Sequence, residues 1–396
     1  IGLAQARSLG QKARNGIFKE LDRLIVDEIS MVRADLLDCM DVFLREARGD
    51  QKHPFGGLPM AFFGDLYQLP PVVRSADQAE FDKAFTTPYF FSASVMDEIA
   101  PVLELIELET VYRQRDDRFI AVLNAIRNRT AGDRELAILN QRHDPSARNS
   151  ARDGAIILTA RNDQADAVNQ KHLASLPGHS RAYHASVGGT FPEGEFPTDR
   201  ELLLKKGARV MLLSNDNRRR WINGTLATVR ALFPDAVEVE LDSGKRVEVE
   251  PYMWSMYESR FDGATKSLQS ETVGSFTQVP LRLAWAITIH KSQGKTFDRV
   301  VIDLGRGAFA QGQVYVALSR CRTLEGITLT VPLTLSQVRV HYGVMKFLTQ
   351  FQYDRARRAQ SADSVRAIIA EAIAAKRPIT ITYLKAKDVR SMRVVE

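Results

Sequence analysis

The stretch Leu24-Ile25-Val26-Asp27-Glu28-Ile29-Ser30-Met31 runs a short apolar, partly β-branched segment straight into two adjacent carboxylates. Such a run reads as a central parallel strand, because a strand covered on both faces has no need of polar alternation. In open α/β sheets ligands bind beyond the carboxyl ends of the strands, which is where the two acids fall. Nucleotide hydrolysis is one chemistry that uses such a pair. Asp27 would hold Mg²⁺ through water, and Glu28 would accept a proton from the attacking water. The plainer alternative is an acidic helix N-terminus, which the helix dipole favours.

Working outward, strand and helix alternate through residues 20–110. A helix is expected from Ala34 to Glu46, followed by the apolar run Pro59-Met60-Ala61-Phe62-Phe63, which stops at Gly64-Asp65. That second strand would lie beside the first and bring Gln68 to the same end, where its amide could read a γ-phosphate and its water. Phe119 to Arg127 is amphipathic, and Gly154–Thr159 reads as a buried strand. Between about 175 and 275 the runs become short and alternating, with a hairpin turn at Asp242-Ser243-Gly244, the pattern of a small β-barrel. The stretch "LRLAWAITIHKSQGKTFDRVVIDL" is expected as a helix followed by a strand, which makes the β module an insert in a second α/β unit. Val340, Val344, Phe347, Leu348 and Phe351 have helical spacing ahead of Arg355, Arg357 and Arg358. Arg113 of "TVYRQ" and Arg320 of "YVALSR" are the residue type that neutralises phosphoryl-transfer charge from an opposite domain. A residue in that role contributes on the order of 10³ to 10⁵ in rate.

Bulk properties bound the reading without deciding it. At 396 residues the chain exceeds one ordinary core, so two or more domains are expected. A formal charge of +6, from 54 bases and 48 acids, permits a nucleic-acid partner but does not demand one. Cys39 and Cys321 make neither a disulfide framework nor a metal cluster, which fits a reducing bacterial cytoplasm. No apolar run reaches a membrane span and no signal peptide opens the chain. The start at Ile1 and the strand-like end at Glu396 read as cut ends.

The ordered motifs "LIVDEISM", "FFGDLYQLPPV", "VYRQ", "LAWAITIHKSQGKTFDRVVIDL" and "GQVYVALSRCRTLEGITL" resemble those of the PIF family of superfamily-one DNA helicases, relatives of RecD and Dda. Phe43-Leu44-Arg45-Glu46-Ala47-Arg48, running on through Pro54-Phe55-Gly56-Gly57, resembles that family's own signature and argues against RecD. The resemblance implies an α/β fold of two RecA-like P-loop NTPase domains with an inserted SH3-like β-barrel. Residues 1–105 would be the first domain, and 106–174 with 276–335 the second. The barrel would span 175–275, a helical linker 336–360, and an α+β segment 361–396 similar to the start of a WYL domain.

By the same resemblance Asp27, Gln68, Gly294, Arg113 and Arg320 would serve ATP and Mg²⁺. Glu28 would be the base, Gln68 the γ-phosphate sensor, and Arg113 and Arg320 the arginine fingers. Thr288, His290, Lys291 and Ser292 would link the nucleotide cleft to single-stranded DNA, with Gly294 admitting the DNA backbone closely. The family moves 5′ to 3′ and opens duplex and G-quadruplex DNA; a monomer is expected. In the insert, Arg220 and Trp221 are either a stacking platform for a single strand or a charged hairpin around a core indole. Arg45, Arg48 and Lys52 either line the path where strands part or are solvated surface charges.

One departure stands out. Residues 1–26 hold no G-x-x-x-x-G-K-[ST], and the only Gly-Lys-Thr, Gly294-Lys295-Thr296, has Ile289 where the first glycine belongs. The expectation is that the P-loop has been removed and that this chain hydrolyses little or no ATP. The rival readings are a RecD-like helicase and a single-stranded DNA-binding module without a motor.

Overall fold

The computed structural model describes residues 2–395 except 15, 74–76, 109, 150–153, 263–266, 306–309, 360–361, 376–378 and 386–387; at 148–149, 257–262, 267–271, 354–359, 362–365, 368, 372, 379–385 and 388–395 it describes the backbone alone. The N-terminal unit is built on two parallel strands, Leu24–Val26 and Met60–Phe62, paired from Leu24 with Met60 to Val26 with Phe62. The Ala34–Arg48 helix covers them, burying Leu37, Leu44 and Ala47, and ends at a left-handed Gly49, the conformation glycine adopts without steric penalty. Leu24 and Val26 face that core, with Phe55, Phe90 and Met96. Ile25 points the other way and is 60% exposed, so the strand expected as covered on both faces is open on one. The reason is that successive side chains alternate across the sheet, so Ile25 falls on the face away from the helix-covered core.

The second unit meets the expectation for a parallel sheet. Its strands run in the order Ala286–Thr288, Ile156–Thr159, Val300–Asp303, Ile327–Leu329, all parallel. Ile156, Leu158, Val300 and Ile302 face a core filled from the helices Asp117–Arg127, Asp133–Asn140 and Gln313–Ser319. Ile157 and Val301 face Ala165 of the Asn162–Ser175 helix on the other side. Both faces are covered, which is why these strands carry no polar alternation.

The helix expected at the start of "LRLAWAITIHKSQGK" is not formed. Leu281–Leu283 pairs antiparallel with Val210 to Leu212, and Ala286–Thr288 joins the parallel sheet beside Ile157 to Thr159. A short continuous apolar run is ambiguous by periodicity alone, and here the neighbouring edge of the sheet claims it.

The inserted module has a five-stranded antiparallel sheet ordered Arg246–Val249, Val237–Leu241, Leu226–Leu232, Arg209–Leu212, Leu281–Leu283. A second sheet joins Tyr252–Asp262, Ser267–Gln278 and Ser186–Gly189, and Arg181–His184 pairs with Glu201–Leu204. The expected hairpin is present: Gly244 has φ +83° and donates its N–H to the Leu241 carbonyl at 2.8 Å.

After the second unit the chain returns to the first. In the Tyr342–Ala359 helix, Phe347 stacks on Phe91 at 4.5 Å, and Val344 is buried with Tyr67 and Tyr89. The side chains of Arg355, Arg357 and Arg358 lie outside the described residues. The Ala362–Ala374 helix then leads into the antiparallel pair Ile379–Lys385 and Asp388–Val395. Of its expected apolar face, Ile369 and Ile373 are exposed; the side chains of Val365, Ile368 and Ala372 lie outside the described residues. Among the described residues no helix is long and apolar enough to cross a membrane.

Candidate functional site

The two acids are aimed by backbone geometry. Val26 accepts from the Phe63 amide and Phe63 from the Ile29 amide, each at 2.8 Å, so the chain must turn sharply between Val26 and Ile29. Glu28 makes that turn in the left-handed region, φ 51° and ψ 44°, a conformation that non-glycine residues keep only where the surroundings enforce it. Asp27 is exposed, and its Oδ1 accepts the Glu28 amide at 2.8 Å. The Glu28 carboxylate accepts from Gln293 Nε2 at 3.0 Å, across the cleft from the second unit. Gln293 sits inside the "TIHKSQG" motif, yet it was not among the residues singled out from sequence. A side-chain amide between a serine and a glycine gives no signal of its own.

Gln68 lies in the loop after the second strand. Its Nε2 donates to Asp65 Oδ2 at 3.4 Å, while its Oε1 is buried without a hydrogen-bond partner, as is Oε1 of Gln293. Buried polar atoms without partners are uncommon, and one of these two belongs to the Gln293 that donates to Glu28. The loop is pressed against the second unit at Gly312, where an added Cβ would stand 2.3 Å from the Gln68 carbonyl oxygen and 2.5 Å from that of Tyr67. Gly312 also has φ +71°. Gly312→Ala therefore combines backbone strain with a steric clash and is expected to destabilise the protein by about 2–4 kcal/mol. The midpoint of urea denaturation checks this; an unshifted midpoint would mean that the loop and helix separate freely.

Arg320 follows the Gln313–Ser319 helix and is 1% exposed. Its guanidinium donates to neutral acceptors: the Val316 carbonyl at 3.1 Å, Ser319 Oγ at 2.9 Å and the Lys295 carbonyl at 3.4 Å. Among the described residues no carboxylate forms an ion pair with it. Burial, followed by repulsion from Arg113, pushes its pKa down to about 10. Arg113 donates to the Ser319 carbonyl at 3.3 Å. A buried guanidinium held beside a second one, with only the more distant Glu28 and Asp65 charges to offset it, is a site that gains from an anion. Gln114 grips the same helix end through the carbonyls of Ser319 and Cys321, at 3.1 and 2.9 Å. The "VYRQ" segment thus divides into a cation for the cleft and an anchor for the helix.

The cleft could take the terminal phosphate of a nucleoside triphosphate with Mg²⁺: two arginines to meet the anion, an exposed carboxylate at Asp27 for the cation, and two unpartnered amide oxygens able to accept from a water. The inner phosphates have no matching cradle, since no G-x-x-x-x-G-K-[ST] occurs in the chain. Gly294-Lys295-Thr296 follows a strand and a 3₁₀ turn rather than a helix, and Ile289 still stands at the first glycine position.

Of the residues expected at single-stranded DNA, two face inward. Ser292 is buried and its Oγ donates to the Ile289 carbonyl at 2.7 Å; Thr288 is buried and its Oγ1 accepts the Lys291 amide at 3.3 Å. They shape the turn that presents His290, half-buried, and Lys291, exposed. Burial lowers the His290 pKa and keeps the ring neutral at pH 7. Gly294 has φ +74°, and a Cβ there would meet nothing within 4 Å, so the space beside it is open. Lys295 lies over Gly224 of the insert, where an added Cβ would meet its Nζ at 2.1 Å.

Burial and pairing separate the basic residues of the insert and the signature, of which Lys52 is exposed. Trp221 is buried in the insert core, with the Arg220 guanidinium 4.6 Å from its ring centroid. Arg220 is also held by Asp216 at 2.7 and 3.0 Å. The pair thus offers no free stacking face, and a platform at Arg220 and Trp221 is corrected to a core indole under a paired arginine. Arg218, Arg219 and Ile222 are exposed in that loop, with Asn215, Asn217 and Asn223. Arg45 and Arg48 are held by partners within the protein rather than left as solvated charges. Arg45 pairs with Asp41 and Glu98, and Arg48 donates to the carbonyls of Gly56, Phe18 and Leu21.

A family model described as PIF1-like helicase matches residues 7–135. ATP-dependent DNA helicase PIF1 of Mus musculus is 35% identical over 378 residues, covering 92% of this chain and 54% of the mouse protein. ATP-dependent DNA helicase Pif1 of Bdellovibrio bacteriovorus is 30% identical over 342 residues, covering 84% of this chain and 71% of that protein. Unliganded Pif1 from Bacteroides sp. is similar in structure, with a TM-score of 0.71 at 36% identity over 87% of this chain and 78% of its own. Bacteroides Pif1 bound to ssDNA gives a TM-score of 0.68 at 36% identity over 85% and 77%. The chain spans about half the length of the mouse, rat, frog and human relatives it matches.

Proposed function

This chain belongs to the PIF1-like helicase family, and on that premise we propose that it serves an ATP-dependent DNA helicase that moves 5′ to 3′ on single-stranded DNA and opens duplex or G-quadruplex. The observation that carries the reading is Arg320, buried beside Arg113, bonded only to neutral acceptors among the described residues and within the field of Glu28 and Asp65. Bound ATP with Mg²⁺ would supply the phosphoryl group. Asp27 would hold the cation through water, and Glu28, oriented by Gln293, would accept the proton of the attacking water. Arg113 and Arg320 would neutralise the charge that grows on the transferred group, and Gln68 would sense its presence. The reading assigns RecA-like domains to 1–105 and to 106–174 with 276–335, an SH3-like insert to 175–275, with insert-sheet strands continuing through Leu283, and the opening of a WYL-like domain to 361–396. For the last, the order helix, strand, strand is the support. The protein is taken to act as a cytoplasmic monomer.

A second reading is favoured by the missing phosphate cradle. By itself this chain would be a single-stranded DNA platform with little or no ATP turnover. Both readings require DNA to pass Lys291 and the exposed Arg218 and Arg219. Binding of a labelled oligonucleotide over a range of salt tests this. For a single strand, log affinity falls by roughly 0.7 per neutralised phosphate against log salt. Lys291→Ala is expected to weaken binding and flatten that slope by about one such step. Salt-insensitive binding by the unsubstituted chain would sink both readings.

A further inference from the structure

Asp65 is a carboxylate with more partners than a loop residue needs. Its Oδ1 accepts the Tyr67 amide at 3.1 Å, which shapes its own loop. Its Oδ2 accepts the Gln68 side-chain amide at 3.4 Å and the Tyr315 hydroxyl at 3.0 Å. Arg127 brings its Nε within 3.5 Å of Oδ1 and lays its guanidinium 4.7 Å from the Tyr67 ring centroid. Tyr315 and Arg127 belong to the second unit, so a single carboxylate holds both the Gln68 loop and the facing domain.

The contacts on Asp65 differ in quality. The Tyr315 bond is of ordinary length, whereas 3.4 Å leaves the Gln68 bond weak. Burial, followed by the nearby Asp65 charge, raises the Tyr315 phenol well above its usual pKa, so it remains a donor at neutral pH. Tyr315 lies on the Gln313–Ser319 helix, which ends at Arg320, and that helix begins at Gly312 against the carbonyls of Tyr67 and Gln68. Movement of the helix is therefore transmitted to the Gln68 loop through Asp65.

We propose that Tyr315, assisted by Arg127, is a positioning residue of the cleft: by holding Asp65 it keeps the domains closed and leaves the Gln68 amide free to turn toward a terminal phosphate. The inference rests on reading the cleft as a nucleotide site. The closure it describes exists without nucleotide and can be measured without one.

Spin labels on Lys83→Cys in the first unit and Ala137→Cys in the second, both exposed, report the inter-domain distance by pulsed electron resonance. Cys39 and Cys321 are buried and leave labelling to the introduced cysteines. The parent protein is expected to give one narrow distance. Tyr315→Phe keeps the ring and removes only the hydroxyl, and should broaden and lengthen that distribution while far-ultraviolet circular dichroism stays unchanged. Asp65→Ala, which removes the Tyr315 and Arg127 contacts together, should have an equal or larger effect, and the double variant should go no further than Asp65→Ala alone, because the Tyr315 hydroxyl acts only through that carboxylate. A Tyr315→Phe distribution that superimposes on the parent, or effects of the two variants that add, would overturn the proposal. Oligonucleotide binding by the same samples separates this from the helicase reading. Loss of binding in the parent would refute that reading and leave the distances standing as a result about domain closure.

Discussion

Joining a strand, a G-x-x-x-x-G-K-[ST] loop and a helix ahead of residue 1 is expected to raise DNA-stimulated ATP turnover by on the order of 10³-fold or more. The residues proposed to act on the terminal phosphate are Glu28, which accepts from Gln293 at 3.0 Å, and Arg320, buried beside Arg113. What is lacking is the nest of backbone amides and the lysine that would hold the inner phosphates. Positioning alone is worth many orders of magnitude in effective concentration, so well-aimed groups with nothing held before them stay idle. In the joined protein, Arg320→Ala should then lower turnover by roughly 10³, and Glu28→Gln should do so while nucleotide binding survives. Equal turnover with and without the added segment would show that phosphates are held by residues elsewhere.

Asp41→Ala is expected to destabilise the protein by about 3–5 kcal/mol, because it breaks a buried ion pair and strands a buried amide. Asp41 is buried in the Ala34–Arg48 helix. It accepts the Phe55 amide at 2.6 Å and Arg45 Nε at 2.8 and 2.9 Å. The Phe55 bond is unusually demanding, since Phe55, Gly56 and Gly57 all have positive φ, at 54°, 62° and 70°. Arg48 closes the other side of that turn by donating to the Gly56 carbonyl at 2.9 Å. Asp41→Asn, which keeps an acceptor for the amide but loses the charge for Arg45, should lie between the parent and alanine. Chemical denaturation measures both. If alanine matched the parent, the signature at 43–57 would have to be read as a surface for DNA after all.

How much of this was legible in sequence varied with the kind of signal. The acids at 27 and 28 and Arg320 stand out in sequence because each follows directly on a patterned strand or helix, whereas Gln68 and Arg113 lie in loops and stand out only through the family motifs. Strand ends of a parallel sheet converge on one edge whatever the details. The strand at 281–288 was not legible, because Leu281 to Thr288 is apolar almost throughout and only its partners, Val210 to Leu212 and Ile157 to Thr159, decide its form. Arg45 and Arg48 misled for a related reason. A basic helix face reads as solvated or DNA-facing until the carboxylate of Asp41 and the carbonyl of Gly56, distant in sequence from Arg48 or hidden within the helix, are seen to meet them. Trp221 was balanced between core and platform in sequence, and only the surrounding β-sheet core settles it. Asp65, Tyr315 and Arg127 lay within or beside motifs already noticed, but their meeting depends on how the two domains close, a relation that no local pattern encodes.

The measurement that tests the central claim most directly is the fluorescence anisotropy of labelled ATP titrated with this chain, with and without Mg²⁺. Weak or absent binding is expected under conditions where a labelled single strand binds in a salt-sensitive way, because the phosphate-transfer groups are present and the inner-phosphate cradle is not. Tight, Mg²⁺-dependent ATP binding would contradict it, since Asp27, Gln68, Arg113 and Arg320 alone have no means of holding the whole triphosphate.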